Sequence, residues 1–196
     1  GTDAMLPALP EIGAALGLAD GNRVQLIVSS FMLGTGLGQL FFGPFSDTRG
    51  RRSSILLGLL IFCIGTVVCM LATSMEMMLF GRFVQAFGVA GPRISAMAII
   101  RDIYVGATMA KVMSFIMMVF ILVPMLAPIL GQLVIQISGW WYILVWFLVI
   151  GVFTGSWFML RQPETLTRDM RRPFSFTEIK EAAGFILTHR QVMAYI

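Results

Sequence analysis

Long apolar runs separated by short polar segments dominate the pattern of this chain. The runs fall near residues 24–46, 53–72, 76–100, 111–137 and 140–160. Each run reaches the length of about 20 residues that an α-helix needs to cross the hydrocarbon core of a bilayer. The pattern therefore predicts five complete membrane-spanning helices.

The two ends of the chain predict further, incomplete elements. Residues 1–15 are interpreted as the outer end of a truncated first spanning helix, because no initiator Met, basic segment or cleavage site precedes them. Residues 161–190 are expected to form a linker with an amphipathic stretch, and residues 191–196 resemble the start of a seventh apolar helix. We therefore expect an all-α integral membrane bundle of six helices, the first incomplete, within a longer protein.

The composition supports a protein solvated by lipid. Apolar residues make up 58% of the 196 residues and charged residues only 12%, whereas an ordinary soluble domain is about one quarter charged. This excludes a soluble enzyme, a disulfide-stapled secreted domain and a disordered segment. Cys63 and Cys69 lie about 9 Å apart along one predicted helix and point to different sides, so we expect two free thiols.

The basic residues predict the orientation of the bundle. Most of the 14 lysines and arginines fall in the segments 46–53, 101–111 and 161–190, whereas the opposite side has only Arg23. The positive-inside rule places the basic loops in the cytoplasm. The net charge of +4 is then explained by topology, and no nucleic-acid partner is expected.

Two patterns concern how the helices are arranged. The sequence GQL at 38–40 recurs at 131–133, a faint sign of the three-plus-three inverted repeats on which many transporters are built. Ser30, Gly34 and Gly38 follow one another at four-residue steps and form a stripe of small residues suited to close helix contact.

Three ionisable residues lie inside apolar runs, where a charge is costly unless it faces a cavity or a partner. They are Asp3, Arg82 and Arg93. A carboxylate whose exposure alternates can take up and release a proton, whereas arginine cannot titrate and can only bind or tune. The two arginines differ by about 20° around one helix, so we expect them to share a face and to favour an anionic substrate. The alternatives are a buried hydrogen bond for Asp3, an ion pair or carbonyl clamp for Arg82, and snorkelling to the interface for Arg93.

The fifth run carries a kinkable, partly polar stripe at four-residue steps. Its members are Pro124, Pro128, Gln132 and Gln136. Prolines release backbone carbonyls that must be satisfied inside the protein. The stripe therefore predicts a cavity wall or a hinge, and the alternative is a simple structural kink.

Several motifs resemble those of the major facilitator superfamily. The loop at 43–52 resembles its signature G-x-x-x-D-x-x-G-R-[RK], through Gly43, Asp47, Gly50, Arg51 and Arg52. The segment RFVQAFG at 82–88 resembles the fourth-helix motif R-x-x-Q-G-x-G, with an alanine in place of one glycine. The segment APILGQ at 127–132 resembles the fifth-helix antiporter motif G-P-x-x-G-G, but departs from it at both end glycines.

Shorter matches at Asp3, 6–10, 101–104 and 163–166 narrow the resemblance to drug exporters of the bicyclomycin-resistance type. This implies the N-terminal half of a twelve-helix, proton-coupled antiporter in a bacterial inner membrane. The implied partners are an amphipathic small molecule, protons, the bilayer and a C-terminal six-helix half. No cofactor or metal is implied beyond the proton as coupling ion.

The resemblance also assigns roles to residues. Asp3 is the implied proton and substrate site, and Arg82, with Gln85 beside it in the motif, supports coupling. Asp47 is expected to meet a helix of the other half, and Arg51 to pair with Asp102. With Gly43, Gly50 and Arg52 these residues would form a conformational latch. The fifth-helix antiporter motif corresponds to Pro124, Ala127, Pro128 and Gly131, and Arg93 matches no family motif.

The resulting prediction is an exporter of amphipathic molecules, including drugs, that works by alternating access. The alternatives are a proton-coupled uptake symporter of the same superfamily and a non-transporting receptor or scaffold on the same fold. An enzyme is not expected, because the sole histidine, His189, lies in the linker and no metal-ligand cluster or nucleophile with a base is found.

Overall fold

A computed structural model describes residues 3–17 and 21–164 of the chain. Most of the predicted linker, with its amphipathic stretch, and the predicted seventh segment at 191–196 lie outside the described residues. The elements are a 3-10 helix (Asp3–Ala8), α1 (Leu9–Ala15), α2 (Gly21–Val24), α3 (Leu26–Arg49), α4 (Arg51–Met70), α5 (Met75–Ile103), α6 (Gly106–Ser138) and α7 (Trp141–Arg161).

Helices α3 to α7 are long and apolar enough to cross a membrane, and the predicted all-α integral membrane fold is confirmed. The helix ends follow local chemistry. Ser74 caps α5, because its hydroxyl accepts a hydrogen bond of 3.3 Å from the amide of Met77. Gly50, at a φ of +102°, is the single residue between α3 and α4. Glycine adopts this backbone conformation without steric cost and so permits the sharp reversal.

The segment before α3, expected to be the outer end of a first helix that Pro7 and Pro10 break, consists of two short elements. It begins as a 3-10 helix that contains Pro7 and continues as α1 with Pro10 in its first turn. Proline lacks the amide that an α-helix interior needs but is tolerated in the first turn. The two prolines therefore lie where the segment changes from a 3-10 helix to an α-helix, and the predicted break at Pro7 and Pro10 is confirmed.

Helix α5 lies at the centre and packs most extensively on α3 and α4. Against α3 the contact is close enough to exclude side chains: a methyl group at Gly34 would overlap the carbonyl oxygen of Phe83, and one at Gly38 would lie 2.6 Å from the carbonyl oxygen of Phe87. The predicted stripe of small residues is confirmed as a packing surface.

The two ends of the bundle differ in chemistry. The end formed by the 3-10 helix, α1 and the start of α7 holds an apolar core of Met5, Ala8, Ile12, Val24, Ile27, Cys69, Met78, Ile143 and Leu144. The opposite end, where α3 passes into α4, buries serines and an arginine instead. Functional chemistry is therefore expected at the polar end and along α5 between the two ends.

Helix α6 stands apart from this bundle. It packs mainly on the 3-10 helix and less on α7, and Gly131 is its one residue buried within the described part of the chain. A methyl group at Gly131 would overlap the carbonyl oxygen of Ala4. The rest of this long apolar helix presents a surface suited to lipid or to further protein.

Candidate functional site

Arg51 organises the polar end of the bundle. It is the first residue of α4, is 8% exposed, and donates from Nε to Oδ2 of Asp102 at 3.0 Å. Its Nη1 donates to Asp47 and to the hydroxyl oxygen of Ser46 at 3.0 Å. The expected pairing of Arg51 with Asp102 is confirmed, and one guanidinium joins the ends of α3, α4 and α5.

A chain of buried hydroxyls extends this arrangement into the bundle. The Ser46 and Ser95 oxygens lie 3.1 Å apart, and Ser95 donates to Ser54 at 2.9 Å. All three side chains are fully buried, and each comes from a different helix. These serines are far apart along the chain and form no sequence motif, so the fold alone brings them together.

Glu164, which follows the end of α7, also contacts the polar end of the bundle. The amide of Arg51 donates to Oε1 of Glu164 at 2.9 Å, which places a carboxylate at the positive end of the α4 dipole. A methyl group at Gly50 would overlap this carboxylate. Nearby, Nη2 of Arg52 donates to the carbonyl of Met159 at 2.7 Å. Two contacts thus hold the end of α7 on the start of α4, and sequence reasoning assigned Glu164 no role of its own.

Two other members of the predicted latch are less enclosed. The Asp47 side chain is 52% exposed, so half of its surface is uncovered by the described residues. A methyl group at Gly43 would meet no atom of the described chain within 4 Å. The described part of the chain therefore gives no steric reason for glycine at position 43.

Arg82 lies on α5 and is 1% exposed. Its Nη1 donates to Oε1 of Gln85 at 2.6 Å, and Nε2 of Gln85 donates to the Thr66 hydroxyl at 2.7 Å. The Thr66 hydroxyl donates in turn to the carbonyl of Phe62 at 2.7 Å, and the guanidinium stands 5.7 Å from the centre of the Phe31 ring. The cation is thus held by an amide and an aromatic face.

Neither the ion pair nor the carbonyl clamp considered for Arg82 is formed by the described residues. The ion pairs among residues 3–17 and 21–164 involve Arg51 alone, and the buried Nε of Arg82 has no hydrogen-bond partner there. A desolvated cation without a counter-charge is costly, so the contacts with Gln85 and Phe31 are its stabilising partners within the described residues.

Asp3 is half-buried at the start of the 3-10 helix, which packs on α6. Within the described residues its carboxylate forms no ion pair, and Arg82 binds Gln85 rather than Asp3. The structure therefore does not place Asp3 and Arg82 in direct contact. Any influence of the arginine on the acid has to act over a distance or in another conformation.

The two α5 arginines are not brought to one site. Arg93 is exposed, whereas Arg82 is enclosed. Arg93 lines a cavity of about 200 Å³ together with Gln39 of α3 and Arg101. Neighbouring helices cover Arg82 and leave Arg93 open, and the hypothesis that the two arginines favour an anionic substrate stays a prediction.

The predicted antiporter motif lies on α6, which continues unbroken through both prolines. Pro124 is exposed, Ala127 and Pro128 are half-buried, and Gly131 is the contact with Ala4 described above. Each proline leaves the carbonyl one turn before it without its helical hydrogen bond. The motif is therefore placed where α6 crosses the helix that carries Asp3.

These features define a multi-pass membrane protein with a transporter architecture. They are five apolar helices of spanning length, a buried cation among the helices and a charged cluster at one end. The Major Facilitator Superfamily profile matches residues 1–196, and the chain belongs to this family. Because the members of this family are transporters, the prediction that the chain is not an enzyme is confirmed.

Similar proteins agree with this assignment. The chain is 32% identical over 196 residues to a bicyclomycin resistance protein homolog of Haemophilus influenzae, covering 100% of this chain and 49% of that protein. It is 36% identical to a chloramphenicol resistance protein of Pseudomonas aeruginosa, covering 80% of this chain and 37% of that one. The resemblance to the bicyclomycin-resistance type is confirmed, and the chain spans about half the length of the curated relatives it matches.

A solved structure shares the fold. The human organic anion transporter MFSD10 (TETRAN) matches 92% of this chain and 43% of its own, with a TM-score of 0.68 and 23% identity. At this identity the likeness concerns the helix arrangement alone. It supports the description of the chain as one helical bundle.

Proposed function

We propose that the complete protein is a proton-coupled antiporter that exports amphipathic small molecules from the cytoplasm across a bacterial inner membrane. Family membership and relatives named for resistance to bicyclomycin and chloramphenicol support this function. The basic segments 46–53, 101–111 and 161–190 then face the cytoplasm. The proton is the coupling ion, and no other cofactor is needed.

The observation that carries this proposal is the burial of Asp3 without an ion-pair partner among the described residues. Its carboxylate is half-buried in an apolar helix and forms no ion pair within the described residues. A carboxylate in such a place is neutral when lipid or protein covers it and ionised when water reaches it. Asp3 would therefore bind a proton in one conformation and lose it in the other.

Arg82 provides a fixed positive charge in the same bundle. Because Gln85, itself fixed by Thr66, holds Arg82 from one side and the arginine Nε has no partner in the described chain, Arg82 can stabilise a polar group of the substrate. It also favours an ionised Asp3 in any conformation that brings the two closer. Substrate binding near Arg82 and proton release from Asp3 would then be coupled.

The charged cluster around Arg51 would act as the conformational latch. Asp47 presents an exposed carboxylate that can accept hydrogen bonds from the start of a helix in a C-terminal half. Arg51 of α4, which is itself paired with Asp102 of α5, holds that carboxylate in place. Breaking this contact opens the cytoplasmic face, and forming it closes that face.

Transport by the complete protein in proteoliposomes tests the proposal. With chloramphenicol as the probe, we expect flux against the substrate gradient when protons flow in the opposite direction. Asp3→Asn should remove gradient-driven flux and retain downhill exchange, because asparagine mimics the protonated acid. Glu11→Gln, which changes an exposed acid on α1, is the matched control and should behave as the wild type.

The same measurement separates the alternatives. Flux in the direction of proton flow would identify an uptake symporter. Probe binding without flux under either pH gradient would identify a receptor or scaffold. Full gradient-driven flux in Asp3→Asn would refute the role given to Asp3.

A further inference from the structure

We propose that Arg93, Arg101 and Gln39 form a second polar site, which binds the carboxylate or phosphate of an amphipathic anion. These residues line a cavity of about 200 Å³ between α3 and the last three turns of α5. The remaining lining comes from Ile94 and Met97. The cavity thus offers two cations and an amide on one side of an apolar wall.

The orientation of Arg101 supports this assignment. Arg101 lies two residues before the end of α5, where an arginine could extend into water. Instead its Nε donates to the carbonyl of Met97, one turn earlier, at 3.3 Å. This bond holds the side chain along α5 beside Met97, and Arg93 lies two turns earlier on the same helix, about 12 Å along the axis. Two cations consequently line one small cavity.

The positive charge in this cavity is not balanced by the described residues. Every ion pair within residues 3–17 and 21–164 is made by Arg51. Both guanidinium groups are exposed and are therefore available to an anion that enters the cavity. Arginine is suited to the task because its planar fork binds carboxylate and phosphate with paired hydrogen bonds.

The apolar wall specifies the remainder of the ligand. Ile94 and Met97 lie beside the cations, and Met97 adapts its shape to different apolar chains. Arg93 lies ten residues before the end of α5, or about 15 Å along the axis, so the site extends from the interface into the membrane. The ligand is therefore an anionic head with an apolar chain, which describes both an acidic phospholipid and an amphipathic acid carried as substrate.

This site is distinct from the position of Arg82. Arg82 is 1% exposed and bound to Gln85, whereas Arg93 and Arg101 are exposed. Anion binding here does not require proton coupling, and its test can succeed or fail independently of the transport experiment.

Binding of dodecyl phosphate to the complete protein, purified in an uncharged detergent, tests the proposal. Arg93→Gln with Arg101→Gln should raise the Kd by at least about tenfold, because two charge-assisted contacts are lost. Lys111→Gln removes an exposed cation of α6 outside this cavity and should change the Kd less than twofold. Inorganic phosphate, which lacks the apolar chain, should bind far more weakly than dodecyl phosphate.

Equal Kd values for the wild type and the double variant would overturn the proposal, as would an equal effect of Lys111→Gln. The exposed single substitution Arg101→Gln provides the same comparison if the double variant does not fold. Nanodiscs then identify the source of the anion. Retention of phosphatidylglycerol by the wild type but not by the variant assigns a lipid headgroup. If the variant loses binding of an acidic substrate in nanodiscs made of phosphatidylcholine alone, the site is assigned to the substrate.

Discussion

Replacing Gly50 by alanine should destabilise the protein through two separable effects. The backbone at Gly50 has φ of +102° and ψ of 157°, a region that essentially only glycine occupies, and a side chain there costs about 1–3 kcal/mol. The added methyl group would also overlap the carboxylate of Glu164. Moving that carboxylate breaks its 2.9 Å hydrogen bond from the Arg51 amide, which contributes a further 1.5–3 kcal/mol, roughly.

Unfolding of the complete protein by SDS in mixed micelles measures both effects in a double-mutant cycle. Gly50→Ala alone should lower the free energy of unfolding by about 2.5–6 kcal/mol, the sum of the two contributions. In a Glu164→Ala background the same substitution should cost only the backbone strain, because no carboxylate remains to be displaced. The difference between the two backgrounds is the coupling between Gly50 and Glu164.

Gly36→Ala is the matched control. Gly36 lies inside α3, and a methyl group there meets no atom of the described chain within 4 Å. An alanine in a helix interior is more stable than glycine by roughly 0.5–1 kcal/mol, so a small gain is expected. An equal loss for Gly50→Ala in both backgrounds would refute the steric role of Glu164, and no loss in either would refute the strain at Gly50.

Substitutions at three further positions test the interior of the bundle by the same unfolding measurement. Gln85→Leu should cost about 1.5–3 kcal/mol because it leaves the Arg82 Nη1 without its acceptor, whereas Gln85→Glu should be better tolerated; equal losses would contradict the charge-based explanation. Gly65→Ala should destabilise, because the methyl group would overlap the Gln85 backbone, and a result like that of Gly36→Ala would contradict the close packing. Ser95→Ala should cost about 1–3 kcal/mol by removing the centre of the buried hydroxyl chain, and an unchanged midpoint would show that the chain does not stabilise the fold.

The sequence predicted the spanning helices because lipid imposes both their length and their apolar composition. The loop motif led to the pairing of Arg51 with Asp102, and the small-residue stripe led to the contact of α3 with α5. In both cases the residues that make the contact belong to a short pattern that can be read from the sequence. The helix ends were less predictable. The apolar run ends at residue 100, but α5 continues through Arg101 and Asp102 to Ile103.

What the sequence did not reveal depends on contacts between distant segments. Glu164 meets Arg51 across 113 positions of the chain, and no local pattern connects them. Helical periodicity predicted that Arg82 and Arg93 share a face of α5 but could not show that only Arg82 is covered. Burial of one and exposure of the other depend on how α3 and α4 pack, which the spacing along α5 does not contain.

The central claim is that substrate binding and protonation of Asp3 compete. The most direct measurement is proton release from the complete protein in weakly buffered detergent solution, followed with a pH-sensitive dye while chloramphenicol is added. We predict release from the wild type and from Glu11→Gln, and none from Asp3→Asn. Release of equal size from Asp3→Asn, or binding of the probe to the wild type without release, would contradict the account.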